Sequence, residues 1–139
     1  MASKLDALMN VPMFKDLNKK TLSRLEKIAR ERSFSAGDVI VKEGDEGVGF
    51  FLITSGTVAV TRDKHELNKL GAGDFFGEMA LLDNFRRSAT VQALTQTETL
   101  ALLRSDFIAE LRGNADLAVE MLSLMSRRLR EADERLAHD

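Results

Sequence analysis

The chain has 139 residues, a formal net charge of −2 with both signs mixed throughout, and no cysteine. That length suits one domain with a core of its own. Without cysteine there are no disulfides, thiolate metal sites or thiol nucleophiles, which fits a reducing cytoplasm. No basic stripe suggests a nucleic-acid surface, no apolar run approaches a membrane span, and Met1-Ala2-Ser3-Lys4 leads into no signal-peptide core.

Leu5, Leu8, Met9 and Val11 precede the only proline, Pro12, and predict a short helix that the proline ends. Asn18 or Thr21 caps a second helix to about Arg30. Leu22, Leu25, Ile28 and Ala29 lie on one face of it and Lys19, Lys20, Arg24 and Lys27 on the other. From Arg32 to Leu103 the apolar runs shorten and glycines punctuate them. Candidate strands are Arg32–Phe34, Asp38–Lys42, Phe50–Thr54, Thr57–Thr61, Glu66–Leu70, Asp74–Phe76, Thr90–Ala93 and Thr97–Leu103. Many short strands at close spacing predict an antiparallel barrel or sandwich. Arg62-Asp63-Lys64-His65 reads as a hairpin tip. His65 in that turn and His138 beside the terminus have no neighbours for a triad or metal cage and read as surface groups.

Ser105 caps a short helix through about Leu111, and Gly113 stops it. Asn114 or Asp116 then starts a long helix to about Ala137. On it Ala115, Ala118, Leu122, Met125, Leu129, Ala132 and Leu136 fall on three- and four-residue steps, a seam of about three heptads. Leu117, Met121 and Leu124 form a second face that docks on the barrel. The seam either pairs with a second copy or packs inside one chain.

The stretch Phe75 to Ala93 carries the chemistry. Gly77 lets backbone approach closely, and Met79-Ala80-Leu81-Leu82 predict a short helix from Gly77. Free N–H groups at a helix start favour anions. Arg87 adds a planar, permanently charged fork that suits phosphate oxygens. Glu78 would repel a phosphate but can accept from sugar hydroxyls. One anion site beside one hydroxyl reader describes a pocket for a small sugar phosphate. Set against this, an isolated glutamate or arginine is usually a solvated surface group.

Gly77-Glu78-Met79-Ala80-Leu81, five residues, then Arg87-Ser88-Ala89-Thr90-Val91 resembles the phosphate-binding cassette of the cyclic nucleotide-binding domain family. That family includes the cAMP receptor type of bacterial regulator and the regulatory subunits of cyclic-nucleotide-dependent kinases. Ile40-Val41-Lys42-Glu43-Gly44-Asp45-Glu46-Gly47-Val48-Gly49-Phe50-Phe51-Leu52-Ile53-Thr54-Ser55-Gly56 resembles its second signature, whose glycines read as shaping the roll rather than touching ligand. The resemblance implies a mainly β fold: an antiparallel β-roll of about eight strands with flanking helices. It makes residues 1–139 a single domain. N-terminal helices occupy 1–31, the roll 32–104 with the cassette at 75–93, and C-terminal helices 105–139.

The resemblance further implies ligand contacts from Gly77, Glu78, Met79, Ala80, Arg87, Ser88 and Val60. Glu78 would hold the ribose 2′-hydroxyl and Arg87 the cyclic phosphate. The backbone N–H groups of Ala80 and Ser88, with the Ser88 hydroxyl, would add phosphate contacts, and Val60 would touch the base. Ser88 favours cAMP over cGMP. The long helix departs from the bacterial regulators, with Ala132 and Asp133 where those place polar readers of the adenine amino group.

The implied function is a cytoplasmic, non-catalytic cAMP sensor, with no cofactor or metal. It would signal by movement of its C-terminal helices, to an unknown effector protein or through a homodimer. No recognition helix follows before Asp139, so binding to DNA is not expected unless the chain is a fragment of a longer regulator. A channel gating domain would need membrane spans, and a ligand-free dimerising scaffold is opposed by the intact cassette. An enzyme is the least favoured reading, for want of a nucleophile or base pair.

Overall fold

The computed structural model describes residues 4–11, 14–46, 49–77, 87 and 89–138. Helix α1 (Lys4–Met9) stops before Pro12, which lies outside the described residues, and Val11 is fully buried beyond its end. Helix α2 (Lys19–Ile28) begins at Asn18, whose side-chain oxygen accepts from Thr21 N at 2.9 Å. That bond satisfies one of the amides a helix start leaves open. Leu22 and Leu25 face inward, and the backbone turns extended at Ala29.

Eight strands follow among the described residues: β1 (Arg30–Phe34), β2 (Val39–Val41), β3 (Gly49–Ser55), β4 (Val58–Arg62), β5 (His65–Leu70), β6 (Phe75–Phe76), β7 (Thr90–Ala93) and β8 (Thr97–Leu103). They form two four-stranded antiparallel sheets, in the orders β1-β8-β3-β6 and β2-β7-β4-β5. This is the expected β-roll with flanking helices. Strand β3 is buried on both faces over Gly49–Ile53, which explains its unbroken apolar run. Phe50 and Leu52 point to the helices, while Ile53 points between the sheets.

Two expectations need correction. The β4–β5 connection is only Asp63-Lys64, both at positive φ (52° and 69°), and His65 is the first residue of β5. A two-residue turn of that kind matches the right-handed twist of its strands, so no longer polar tip is required. Helix α3 (Arg104–Gly113) starts one residue before Ser105. Leu103 occupies the cap position with no side-chain hydrogen bond, and Asp106 in the first turn faces the positive end of the helix dipole. Helix α4 (Ala115–His138) keeps the predicted start, with Asn114 Oδ1 accepting from Leu117 N at 3.3 Å.

Two apolar clusters divide the interior. One joins Leu8, Phe14 and Leu25 of the N-terminal segment to Phe107, Leu117 and Met121 of α3 and α4, across Phe50 and Leu102 of the roll. The other lies between the sheets around Ile53, Val58 and Val91. The inner face of α4 therefore docks on the N-terminal helices as well as on the barrel. Glu120 reinforces that dock. One carboxylate oxygen accepts from Asn18 N at 2.7 Å, and the other from Asn18 Nδ2 at 3.1 Å and Thr21 Oγ1 at 2.7 Å. About a quarter-turn round α4 from Leu117 and Met121, Leu122 and Leu129 are 68% and 65% exposed, with Met125 exposed between them, so these three seam residues do not pack inside this chain.

Candidate phosphate site

Arg87 is held at both backbone atoms and at its head. Gly44 N donates to Arg87 O at 2.9 Å, and Arg87 N donates to Asp45 O at 2.7 Å. This exchanged pair lays the residue along the turn that follows β2. The same turn is tied down on either side. Glu43 N donates to Thr90 Oγ1 at 2.9 Å, and Glu43 Oε1 accepts from Asp63 N at 3.2 Å. At the other end of the side chain, Arg87 Nη2 donates to the carbonyl oxygen of Gly49 at the start of β3.

Gly77 completes the seat. It follows β6, which is fixed on β3 by stacking of Phe76 on Phe51 at 5.2 Å between ring centroids. Its φ of +83° belongs to the left-handed region, where a side chain is strained. A Cβ on Gly77 would overlap Arg87 Nη1 and lie 2.7 Å from Gly49 O. The group that approaches the bare Cα is thus the guanidinium of this same chain. Gly49 has its own reason to be glycine, since a Cβ there would overlap the Leu102 carbonyl oxygen and sit 3.1 Å from Leu103 Cα. Close contact between β3 and β8 is what sets the Gly49 carbonyl in place.

Val60 lies on β4 between its ladder partners Asn68 and Val91. It is half-buried and packs on the inter-sheet cluster. Phe76, immediately before Gly77, packs on that same cluster, which links the roll interior to the Arg87 seat. Of the other candidates, Glu78, Met79, Ala80 and Ser88 lie outside the described residues, as does the short helix expected from Gly77. Asp133 is exposed on α4.

The arrangement offers a planar cation that cannot lose its proton, with its backbone fixed and its head oriented, at one end of the roll. Such a group can take two oxygens of an anion at once. Sequence reasoning missed the part that the second signature, residues 40–56, plays here. Gly44 and Asp45 grip the Arg87 backbone and Gly49 grips its side chain, so the two signatures build one seat. Their appearance together in one chain was the available signal.

Comparison with known proteins agrees with this architecture. The cyclic nucleotide-binding domain family matches residues 31–114. The chain is 37% identical over 127 residues to the cyclic AMP receptor protein of Thermus thermophilus, covering 88% of this chain and 59% of that protein. It is 40% identical over 103 residues to a cAMP-dependent protein kinase regulatory subunit of Debaryomyces hansenii, covering 73% of this chain and 23% of that subunit. In the crystal structure of the N-terminal domain of a transcriptional regulator from Streptomyces coelicolor, the fold recurs with a TM-score of 0.85. The identity is 30%, and 93% of this chain and 96% of that one are covered. A chain with these two signatures on a β-roll belongs to the cyclic nucleotide-binding domain family. It spans less than two thirds of the curated relatives it matches.

Proposed function

We propose that this chain is a non-catalytic sensor of cAMP, with cGMP the weaker ligand, acting in the cytoplasm. The observation that carries the reading is the seated Arg87 guanidinium, in a family defined by nucleotide binding. Arg87 takes the cyclic phosphate, helped by the backbone N–H groups of Ala80 and Ser88 and by the Ser88 hydroxyl. Glu78 takes the ribose 2′-hydroxyl. Gly77 and Met79 flank these groups, and Val60 meets the base from the roll interior. No cofactor or metal takes part. For a ligand of this size, ~0.3 kcal/mol per heavy atom corresponds to about micromolar affinity.

Ligand biases the C-terminal helices only by favouring one of their arrangements over another. The output then passes to an effector protein or to a second copy docked along Leu122, Met125 and Leu129. A second reading makes the chain the sensing part of a longer regulator. It is supported by the 96% coverage of a regulator's N-terminal domain beside the 59% coverage of a whole receptor protein.

Calorimetric titration with cAMP and cGMP tests the main reading. The chain should bind cAMP at micromolar concentration and cGMP more weakly. Arg87→Ala should cost about 2–5 kcal/mol, because the phosphate keeps only uncharged partners, the Ala80 and Ser88 amides and the Ser88 hydroxyl. Arg87→Lys should also weaken binding, since a point charge loses the two-pronged contact. Unchanged binding by Arg87→Ala would reject the site.

A further inference from the structure

The turn after β2 does more than connect two strands. Beyond the Val41↔Val91 pair, the β2–β7 ladder does not continue by backbone pairing at Glu43. Instead the Glu43 amide donates to the hydroxyl oxygen of Thr90, the first residue of β7. The next two residues, Gly44 and Asp45, make the exchanged pair with Arg87. Thr90 therefore fixes the end of the turn nearest the sheet, three residues along the chain from the cation the turn holds.

We propose that Thr90 is a positioning residue for the phosphate of a cyclic nucleotide. Its hydroxyl oxygen, by holding the Glu43 amide, sets the turn that grips the Arg87 backbone. This rests on the sensor reading and extends it to a group without ligand contact. The chemistry of the side chain makes the idea separable from packing. Valine keeps the branched shape and strand preference of threonine but has no acceptor, so a half-buried Glu43 N–H loses its partner. Serine keeps the acceptor and loses a methyl group.

The test is titration of the full chain with cAMP for Thr90→Val and Thr90→Ser, each also in an Arg87→Lys background, with amide exchange of the free protein alongside. Thr90→Val should weaken cAMP about five- to tenfold, the worth of one ordinary hydrogen bond. Thr90→Ser keeps the hydrogen bond to the Glu43 amide and should stay within about twofold of the unsubstituted chain. In the Arg87→Lys background the valine penalty should shrink to about twofold or less, because the oriented guanidinium through which Thr90 acts is gone. The Gly44 and Arg87 amides should exchange faster in Thr90→Val without ligand. Equal penalties in both backgrounds, or full affinity in Thr90→Val, would overturn the proposal. If the unsubstituted chain bound no cyclic nucleotide, the sensor reading would fall instead. Unaltered exchange at Gly44 and Arg87 would then dispose of the brace as well.

Discussion

Gly77 acts through the atom it lacks. The residue type and its distance from Arg87 were legible in the chain, but the reason was not. Sequence reasoning left room there for ligand, whereas the space is filled by the Arg87 guanidinium against the Gly49 carbonyl. Gly77→Ala should push the guanidinium off its seat and strain a backbone at φ +83°. We expect at least a tenfold loss of cAMP affinity, about 1.4 kcal/mol. A further 1–2 kcal/mol of strain, roughly, should appear as lost stability. Titration and urea unfolding of the same variant separate the two. A variant that keeps full affinity would show that the seat does not matter to binding. The contribution of Gly49 was illegible for a plain reason: 38 residues separate it from Arg87, and a backbone carbonyl carries no letter of its own.

The elements of the roll were legible because glycine and polar clusters bound each short apolar run. Thr90–Ala93 and Thr97–Leu103 keep their predicted ends, and the other strands shift by a residue or two. Helix α3 shows the limit of local rules. Ser105 looks like a cap, yet the cap falls two residues sooner, at Leu103, so that the chain turns helical straight out of β8 and Phe107 is fully buried in the core. The Glu120 contact to Asn18 and Thr21 was not legible at all, since it spans about 100 residues and uses side chains common on any helix surface. Glu120→Ala leaves an amide, a side-chain NH₂ and the hydroxyl of a buried threonine without their acceptor. It should destabilise the fold by about 1–3 kcal/mol in urea unfolding. An unchanged midpoint would mean that water replaces the carboxylate without loss.

For the molecule as a whole, Leu122, Met125 and Leu129 form an apolar stripe on α4 that the described residues leave uncovered. If two copies pair there, sedimentation should find a dimer at micromolar concentration. Leu122→Glu with Leu129→Glu should give a monomer that still melts cooperatively, because Leu117 and Met121 on the inner face are untouched. A monomeric unsubstituted chain would remove the second copy from the signalling scheme and leave an effector protein as the route. The helical cluster has a different consequence, one of timing. Leu8, Phe14 and Leu25 are made before the roll, but Phe107, Leu117 and Met121 of the same cluster are made only after it. On the ribosome the opening helices must wait for the roll, α3 and the start of α4, with their apolar faces open to chaperones, before they find all their partners. A nascent chain arrested after residue 114 should therefore be cleaved by protease within its first 30 residues. The same segment should become resistant once α4 has emerged.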